Sequence, residues 1–281
     1  MKLTTLVSVA HAGGQGKTTM AQMLYLASKR NTLTYKLASA DFVDESGLSK
    51  LGKLYPGKVE EYGVGAHLVA ARAQNNANAA VRYWDRIGHL FLEGGSILDV
   101  GANVIPSLID WATDRHLATL MEKQNGPRTE FFCVCKAERH AVDDMSKLIA
   151  RLSQNRPFRN SRFFIVKNEV GGSFDSLDIE KKLGSTFPTE NIVFVDFPKC
   201  QSEVWQAMEA KGVSIESALE FDEDQAVSVL DVDIWTASSG LTELRDWVDK
   251  CVLMLRGLEI FPRTDANLIN LKSRRAGQGA D

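Results

Sequence analysis

Apolar runs alternate with helical patterns along most of the chain. Several runs are apolar on both faces, which is typical of parallel strands that helices cover on both sides. Because strands joined by helices form right-handed crossovers, the pattern predicts an α/β fold, a doubly wound, mostly parallel sheet flanked by helices. The predicted strands are 3–9, 33–38, 96–100, 131–135, 163–166, 192–197 and 229–234.

Two longer segments have helical patterns. Residues 65–92 are expected to form a helix or a helix pair, and residues 241–258 a helix with an apolar stripe. The chain has 281 residues and 44% apolar content, enough to bury one large core. We therefore expect one domain at 1–262, followed by a partly disordered tail at 263–281 whose residues from 273 onward are small and polar.

Charge and cysteine content narrow the protein class. A formal charge of −3 argues against a wholly basic surface, so any nucleic-acid contact needs a local patch. Cys133 and Cys135 alternate on a predicted strand and are expected to be buried small hydrophobes rather than ligands. With no leader-like start and no apolar stretch near 20 residues, we expect a cytoplasmic protein without a transmembrane segment.

A glycine-rich loop joins the first predicted strand to a helical pattern. Residues 10–19 read Ala-His-Ala-Gly-Gly-Gln-Gly-Lys-Thr-Thr. Such a loop directs backbone N–H groups and the positive end of a helix dipole at one point, which suits nucleotide phosphates. An isolated match could be a plain glycine turn, but the flanking strand and helix favour phosphate binding. The residues expected to bind the nucleotide here are Gly13, Gly14, Gln15, Gly16, Lys17, Thr18 and Thr19.

The end of this loop carries the residue types that phosphate chemistry needs. Lys17 can place its ammonium against the β- and γ-phosphates, and Thr19 would face the α-phosphate. The hydroxyl of Thr18 can complete a Mg²⁺ shell made mostly of water and phosphate oxygens. The sequence therefore predicts a nucleoside triphosphate or diphosphate with Mg²⁺ as the cofactor.

The loop resembles the deviant Walker A motif of the ParA/MinD family of ATPases, Lys-Gly-Gly-x-Gly-Lys-Thr. The match covers the three glycines, Lys17 and Thr18, and the departure is Ala12. In that family the residue at this place is a lysine that reaches the partner's nucleotide across an ATP-sandwiched dimer. Ala12 cannot supply that charge, so hydrolysis by the family's route would need a basic group from elsewhere.

An acidic residue follows the second predicted strand. The resemblance implies that Asp41 orients the attacking water or a metal-bound water, and a lone carboxylate near the γ-phosphate suffices for that role. The alternative is that Asp41 or Asp44 caps the next helix.

A second acidic residue ends the run Ser96–Val100. The segment resembles a Walker B strand and the start of switch II, and places Asp99 near Thr18, where the two would hold the metal ion, Asp99 through water. Gly101 would let the loop approach the γ-phosphate and move when it leaves. The alternative is that Asp99 only caps the following helix.

Two later segments resemble the adenine site of the same family. Asn168 ends an apolar run, and its side-chain amide offers the donor and acceptor that a base edge requires. Asn168 as a simple turn residue is the alternative. Phe197 and Pro198, which precede a helical segment, could pack on the base plane. The resemblance spans roughly residues 1–215 and favours ATP or ADP.

Basic residues gather at one predicted helix end and the loop after it. A few phosphate contacts would give non-specific DNA binding. A solvated arginine loop explains the cluster equally well. The residues are Arg151, Arg156, Arg159 and Arg162.

The resemblance implies an ATP-binding, weakly ATP-hydrolysing dimerisation switch in plasmid or DNA partition, positioning or conjugative transfer. It implies a nucleotide-dependent homodimer and a partner that is an adaptor or DNA-binding protein, and the narrower likeness is to the StbB/TraL-like plasmid stability and mobilisation branch. A nucleotide-binding regulatory module with little hydrolysis is the alternative that Ala12 favours. A P-loop synthetase or small-molecule kinase is a third.

Overall fold

The computed structural model of the protein describes residues 2–63, 77–184 and 191–262, with the backbone alone at 77–82. Seven strands in these ranges form one sheet in the order β3-β2-β4-β1-β5-β6-β7, and every neighbouring pair is parallel. The predicted fold class is confirmed. The strands are β1 (Thr5–Val9), β2 (Lys36–Ala40), β3 (Val59–Glu61), β4 (Ser96–Val100), β5 (Thr129–Lys136), β6 (Arg162–Asn168) and β7 (Ile192–Phe197).

Helices cover both faces of the sheet and enclose two buried clusters. Successive residues of β1 contribute to opposite clusters, Leu6 to one and Val7 to the other, as a strand buried on both faces requires. The described helices are α1 (Lys17–Arg30), α2 (Lys50–Leu54), α3 (Ala77–Glu93), α4 (Ile105–Asp114), α5 (Leu117–Lys123), α6 (Arg139–Gln154), α7 (Ile179–Gly184), α8 (Val204–Lys211), α9 (Ile215–Leu219), α10 (Glu223–Leu230) and α11 (Ile234–Gly257).

Aromatic pairs on β5 and β6 stiffen the middle of the sheet. Phe132 stacks on Phe164 with ring centroids 4.6 Å apart, and Phe131 stacks on Phe163 at 5.5 Å on the opposite face. Each such pair contributes roughly 0.5–1.5 kcal/mol beyond the burial of its area. The two strands next to β1 on this side of the sheet, β5 and β6, are therefore held in a fixed register.

The prediction of a strand at 229–234 is wrong. α10 ends at Leu230, Asp231 takes a left-handed conformation with φ 59°, and Asp233 begins α11 by accepting the N–H groups of Trp235 and Thr236. The alternating apolar and acidic residues resemble a strand, but both aspartates end or start a helix. The seventh strand is instead β3, whose three residues include two glutamates and gave no apolar signal.

Other predicted elements are found with shifted ends. The helix predicted at 241–258 is the later part of α11, which starts at Ile234. Of the predicted helix at 65–92, α3 accounts for residues from 77 onward, and 64–76 lie outside the described residues, as does the tail at 263–281. The single domain at 1–262 stays a prediction. Within the described ranges, every helix is too short or too polar to cross a lipid bilayer.

The cysteine prediction is confirmed. Cys133 and Cys135 both lie in the same buried cluster, on one face of β5. Burial raises the pKa of Cys135 to about 12, so this thiol stays protonated and unreactive at neutral pH.

Candidate functional site

The glycine loop lies between β1 and α1, at the carboxyl end of the central strand. Gly14 and Gly16 have φ values of 70° and 102°, which glycine adopts without strain. A Cβ on Gly16 would lie 2.4 Å from the side-chain nitrogen of Asn168, so this position also requires glycine for space. No side chain of the described residues caps α1, which leaves the N–H groups of its first turn available to an anion.

Four predicted site residues meet beside this loop. The Lys17 ammonium forms a short hydrogen bond to Oδ2 of Asp41, at the end of β2, and lies 3.3 Å from Oδ1 of Asp99 on β4. The hydroxyl of Thr18 donates to Oδ2 of Asp99 at 2.8 Å. Because three elements converge here, residues 82 positions apart in sequence form one charged cluster at the carboxyl edge of the sheet.

Burial and charge set the protonation behaviour of this cluster. Burial opposes the charge on Lys17, but Asp99 and Asp41 outweigh it and raise the pKa of the ammonium above its ordinary value. Burial raises the pKa of Asp99, which is 1% exposed, while Lys17 and the Thr18 hydroxyl oppose the rise. Both oxygens of Asp99 accept hydrogen bonds, the pattern of an ionised carboxylate.

The helix-cap alternatives for the two acids do not hold. Ser49 caps α2 by accepting the N–H of Gly52, and the turn after β4 has no side-chain cap. Asp44 instead accepts the backbone N–H of Ser46 and pairs with Lys53. Asp41 and Asp99 therefore owe their positions to Lys17 and Thr18 rather than to a helix end.

Gly101 makes room for Asp41. A Cβ at Gly101 would lie 2.3 Å from Oδ1 of Asp41, closer than any real contact. Its φ of −61° is ordinary, so the requirement is space and not backbone conformation. The predicted freedom of Gly101 to move after loss of a phosphate stays a prediction.

Two amides fix the loop to the neighbouring strands. Gln15 accepts the backbone N–H of Lys136 at 2.8 Å, which ties the loop to the end of β5. Asn168, at the end of β6, donates to the Gln15 carbonyl at 2.7 Å and accepts the N–H of Val170 at 3.2 Å. Motif spacing did not reveal these ties. The turn role of Asn168 is present, and its reading of a base stays a prediction.

The structure places Phe197 and Pro198, the other two residues predicted for the adenine site, beside α11. The Phe197 ring is 2% exposed and packs edge-on against Trp247, with centroids 5.8 Å apart. The Pro198 carbonyl accepts the indole N–H of Trp247 at 2.8 Å. Phe197 is thus part of the core, and its predicted stacking on a base, with that of Pro198, stays a prediction.

A cavity of about 140 Å³ lies beside Thr19. Lysines of α2 line one side and apolar residues of α8 and the segment after it line the other. Sequence patterns alone do not reveal it, because its walls come from three separate parts of the chain. The lining residues are Thr19, Gln22, Lys50, Lys53, Leu54, Trp205, Met208, Glu209, Gly212, Val213 and Ile215.

The donor set beside Lys17 suits Mg²⁺ only in part. Thr18 and Asp99 supply one hydroxyl and one carboxylate, both oxygen ligands of the kind that Mg²⁺ prefers. Within the described ranges, no group of three or more histidine, cysteine, aspartate or glutamate residues could hold a metal ion. A bound Mg²⁺ would therefore take most of its ligands from water and phosphate oxygens.

The four predicted DNA-binding arginines differ in their surroundings. Arg162 forms two hydrogen bonds to Oε1 of the buried Glu130, at 2.9 and 2.6 Å, and donates to the Leu258 carbonyl, so it secures the end of α11. Arg156 pairs with Glu122 at 3.3 Å. Arg151 and Arg159 lie exposed. DNA binding through this cluster stays a prediction.

Comparison with known proteins gives structural matches. No family model matches the sequence, and neither does any curated protein. A ParA family ATPase from Chlorobium tepidum TLS matches with a TM-score of 0.50 and 15% identity over 88% of this chain and 98% of that one. MinD from Aquifex aeolicus, in complex with MinC, gives 0.44 and 13% over 84% and 94%. A plasmid partition protein from Borrelia burgdorferi gives 0.41 and 11% over 70% and 90%.

The sheet order and the phosphate loop together define a P-loop NTPase fold. Its architecture is that of the ParA/MinD-type ATPases, which confirms the resemblance at the level of the fold.

Proposed function

We propose that the chain binds ATP with Mg²⁺, hydrolyses it weakly and acts as a nucleotide-dependent dimerisation switch of the ParA/MinD type. The observation that carries this proposal is the convergence of Lys17, Thr18, Asp41 and Asp99 beside the glycine loop. The shared fold with a ParA family ATPase supports it. Plasmid or DNA partition, positioning or conjugative transfer is the process we propose for the switch.

Each residue of the cluster has a distinct role in this proposal. The Lys17 ammonium leaves Asp41 and contacts the β- and γ-phosphate oxygens. Asp41 is then free to orient the attacking water or to accept a proton from it. Thr18, and Asp99 through water, would hold a Mg²⁺ ion, which would neutralise part of the phosphate charge. Gly14 and Gly16 keep the loop backbone close to the phosphates.

Exposed apolar residues beside the site support the dimerisation part of the proposal. Phe42, next to Asp41, is 74% exposed, and Val170, two residues after Asn168, is 51% exposed. Large apolar side chains at the rim of a polar site favour a protein partner at that face. A second copy of the chain, or an adaptor or DNA-binding protein, would cover them.

A nucleotide-binding regulatory module with little hydrolysis is the second candidate, and Ala12 favours it. The loop has no lysine at this position. The adjacent His11 does not replace it, because its Nε2 lies 3.1 Å from Oδ2 of Asp144 in the same chain. In this version the nucleotide changes the partner-binding surface, and turnover stays near background.

The binding test uses titration calorimetry with a nonhydrolysable ATP analogue and Mg²⁺. The wild type should bind, Lys17→Ala should lose at least about tenfold in affinity because a charge-assisted phosphate contact is lost, and Lys123→Ala on α5 should match the wild type. Absence of purine nucleotide binding by folded wild-type protein would overturn the proposal.

Hydrolysis and dimerisation are tested separately. Light scattering after gel filtration, with and without the analogue, should show a dimer only with nucleotide, and Phe42→Ser should weaken it. Steady-state turnover that disappears in both Lys17→Ala and Asp41→Asn supports the switch. Analogue binding without turnover in the wild type supports the regulatory module instead.

The position of the base has two candidates. The resemblance predicts Asn168, Phe197 and Pro198, whereas the cavity beside Thr19 offers apolar walls next to the expected α-phosphate. Trp205→Ala removes one wall of that cavity. If the base lies there, the affinity for ATP falls while the affinity for tripolyphosphate does not. The StbB/TraL-like branch, the partner protein and a cytoplasmic location stay predictions.

A further inference from the structure

One tryptophan differs from the other four in its surroundings. Trp84, Trp111 and Trp247 are 0%, 4% and 6% exposed, and Trp205 packs on Trp247. Trp235 is 83% exposed, and its indole N–H has no hydrogen-bond partner among the described residues, whereas those of the three buried tryptophans each have one. A tryptophan left in water keeps a large apolar surface available, and tryptophan is enriched among residues that dominate binding energy at interfaces.

The turn between α10 and α11 places further apolar residues beside it. Val229 is 43% exposed and Ile234 is 45% exposed, on either side of the turn that Asp231 makes. We name residues 229–235 the α10–α11 corner. Three exposed apolar side chains therefore lie within seven residues, on the two helix ends that this turn joins, and exposed apolar residues that gather in one place mark interaction sites.

The chain around the corner is acidic. Residues 214–244 contain eight aspartates and glutamates and no lysine, arginine or histidine. Asp231 is 88% exposed, and its ion pair to Lys211 measures 4.0 Å. The Thr236 hydroxyl and backbone N–H groups of α11 lower the pKa of Asp233, so it is ionised at neutral pH. Asp224 on α10 is also exposed. The corner therefore contains two exposed carboxylates, Asp231 and Asp233, and α10 carries more.

We propose that the α10–α11 corner binds a segment of a partner protein that carries an apolar side chain flanked by lysine or arginine. The apolar side chain would cover Trp235, and the basic residues would meet Asp231 and Asp224. Charge complementarity of this kind favours encounter with the right partner and excludes acidic ones. The proposal does not depend on the nucleotide site, since none of these residues contacts the phosphate loop.

A second copy of the chain fits this surface poorly. A two-fold contact through the corner would place the same patch on both subunits, so Asp231 and Asp224 of one copy would face those of the other. Direct contact between like charges weakens binding at an interface by roughly several kcal/mol. The acidic rim thus favours a partner of different composition.

The test uses phage-displayed random 12-residue peptides selected on the wild-type chain after depletion on Trp235→Ser. We expect enriched peptides with lysine or arginine around leucine, phenylalanine or tryptophan. A synthetic consensus peptide should bind the wild type, change its tryptophan fluorescence, and bind at least about tenfold more weakly to Trp235→Ala and to the double variant Asp224→Asn, Asp231→Asn.

Leu253→Ala is the matched control, because Leu253 is 67% exposed on the same helix but outside the corner. It should bind the peptide like the wild type, and all variants should keep the wild-type melting temperature. Enrichment of acidic or uncharged peptides, or equal binding by Trp235→Ala, would overturn the proposal. So would self-association of the wild type that both Trp235→Ala and deletion of 263–281 abolish, since the occupant would then be the tail of another copy.

Discussion

Replacing Lys17 by methionine tests the buried charge cluster directly. The change keeps an unbranched side chain that is one heavy atom shorter and removes the ammonium with its charge and its hydrogen bonds, which leaves Asp99 buried without its cation. Asp41 also loses its partner, but about a quarter of its side chain is exposed and water can replace the ammonium. Loss of one partner of a buried ion pair costs about 3–5 kcal/mol. We expect Lys17→Met to lose free energy of unfolding in this range near pH 8.

The largest possible loss of unfolding free energy in Lys17→Met depends on pH. A buried carboxyl can always take up a proton, and each pH unit above its unfolded pKa adds about 1.4 kcal/mol to the cost of doing so. With an unfolded pKa of 3.8 for Asp99, the upper limit of the destabilisation is about 5.7 kcal/mol near pH 8 and about 1.6 kcal/mol near pH 5. The destabilisation of Lys17→Met should therefore shrink by more than half between these two conditions.

The sign follows from the direction of each shift. The pKa of Asp99 is raised in the folded chain, so the folded state binds more protons than the unfolded state and stability falls as pH rises from 3.8 through the folded pKa. The pKa of Lys17 is raised above 10.5, so its contribution in the wild type is fully present throughout this range and is lost only at higher pH. The difference between variant and wild type thus reports on Asp99.

Urea denaturation of the nucleotide-free protein at the two pH values measures the effect. Lys123→Met on α5 serves as the control for loss of a lysine charge, and the double variant Lys17→Met, Asp99→Asn should recover most of the stability lost near pH 8. A Lys17→Met destabilisation that is equal near pH 5 and pH 8, or that Asp99→Asn does not relieve, would show that Asp99 is not a charge balanced by Lys17.

Three further substitutions test contacts seen in the structure. Gly101→Ala should displace Asp41 and lower ATP turnover while nucleotide affinity changes by less than about threefold, because the new Cβ would overlap the Asp41 carboxylate. Asp233→Ala removes the cap of α11 and should cost about 1 kcal/mol in thermal denaturation. Asn168→Ala should weaken ATP and GTP binding by the same factor if its main role is to hold the Gln15 carbonyl, as measured by competition titration.

Contrary outcomes are specific to each case. Unchanged turnover in Gly101→Ala would remove Asp41 from the proposed water-orienting role. An unaltered melting temperature in Asp233→Ala would mean that the first turn of α11 is held by its packing alone. A selective loss of ATP over GTP binding in Asn168→Ala would confirm that this amide reads the adenine edge.

The sequence pattern predicted the central part of the fold well. β1, the glycine loop and α1 follow directly from an apolar run, closely spaced glycines and a helical pattern, and Asp99 lies one residue before the end of the short, mostly apolar strand β4. These signals are local, so they need no knowledge of neighbouring elements. The alternation of apolar and acidic residues at 229–234 was misleading. Asp231 follows the last residue of α10 and Asp233 caps the start of α11, so neither lies on a strand.

Contacts between distant segments could not be predicted in the same way. Asn168 and Gln15 are far apart in sequence, and their hydrogen bond depends on β5 and β6 lying on the same side of β1. Arg162 looked like a member of a basic surface patch, but its pairing with the buried Glu130 on the adjacent strand is visible only in the folded chain. The cavity beside Thr19 likewise needs α2 and α8 to meet over α1.

Two carboxylates stand against one ammonium where the cluster of Lys17, Asp41 and Asp99 opens towards the glycine loop. A triphosphate that arrives without its counter-ion brings further negative charge to a place that already carries an excess of it. The loop should thus discriminate between the free nucleotide and its magnesium salt, and take up only the latter with useful affinity. Occupancy of the loop should then depend on the concentration of free magnesium as well as on that of the nucleotide.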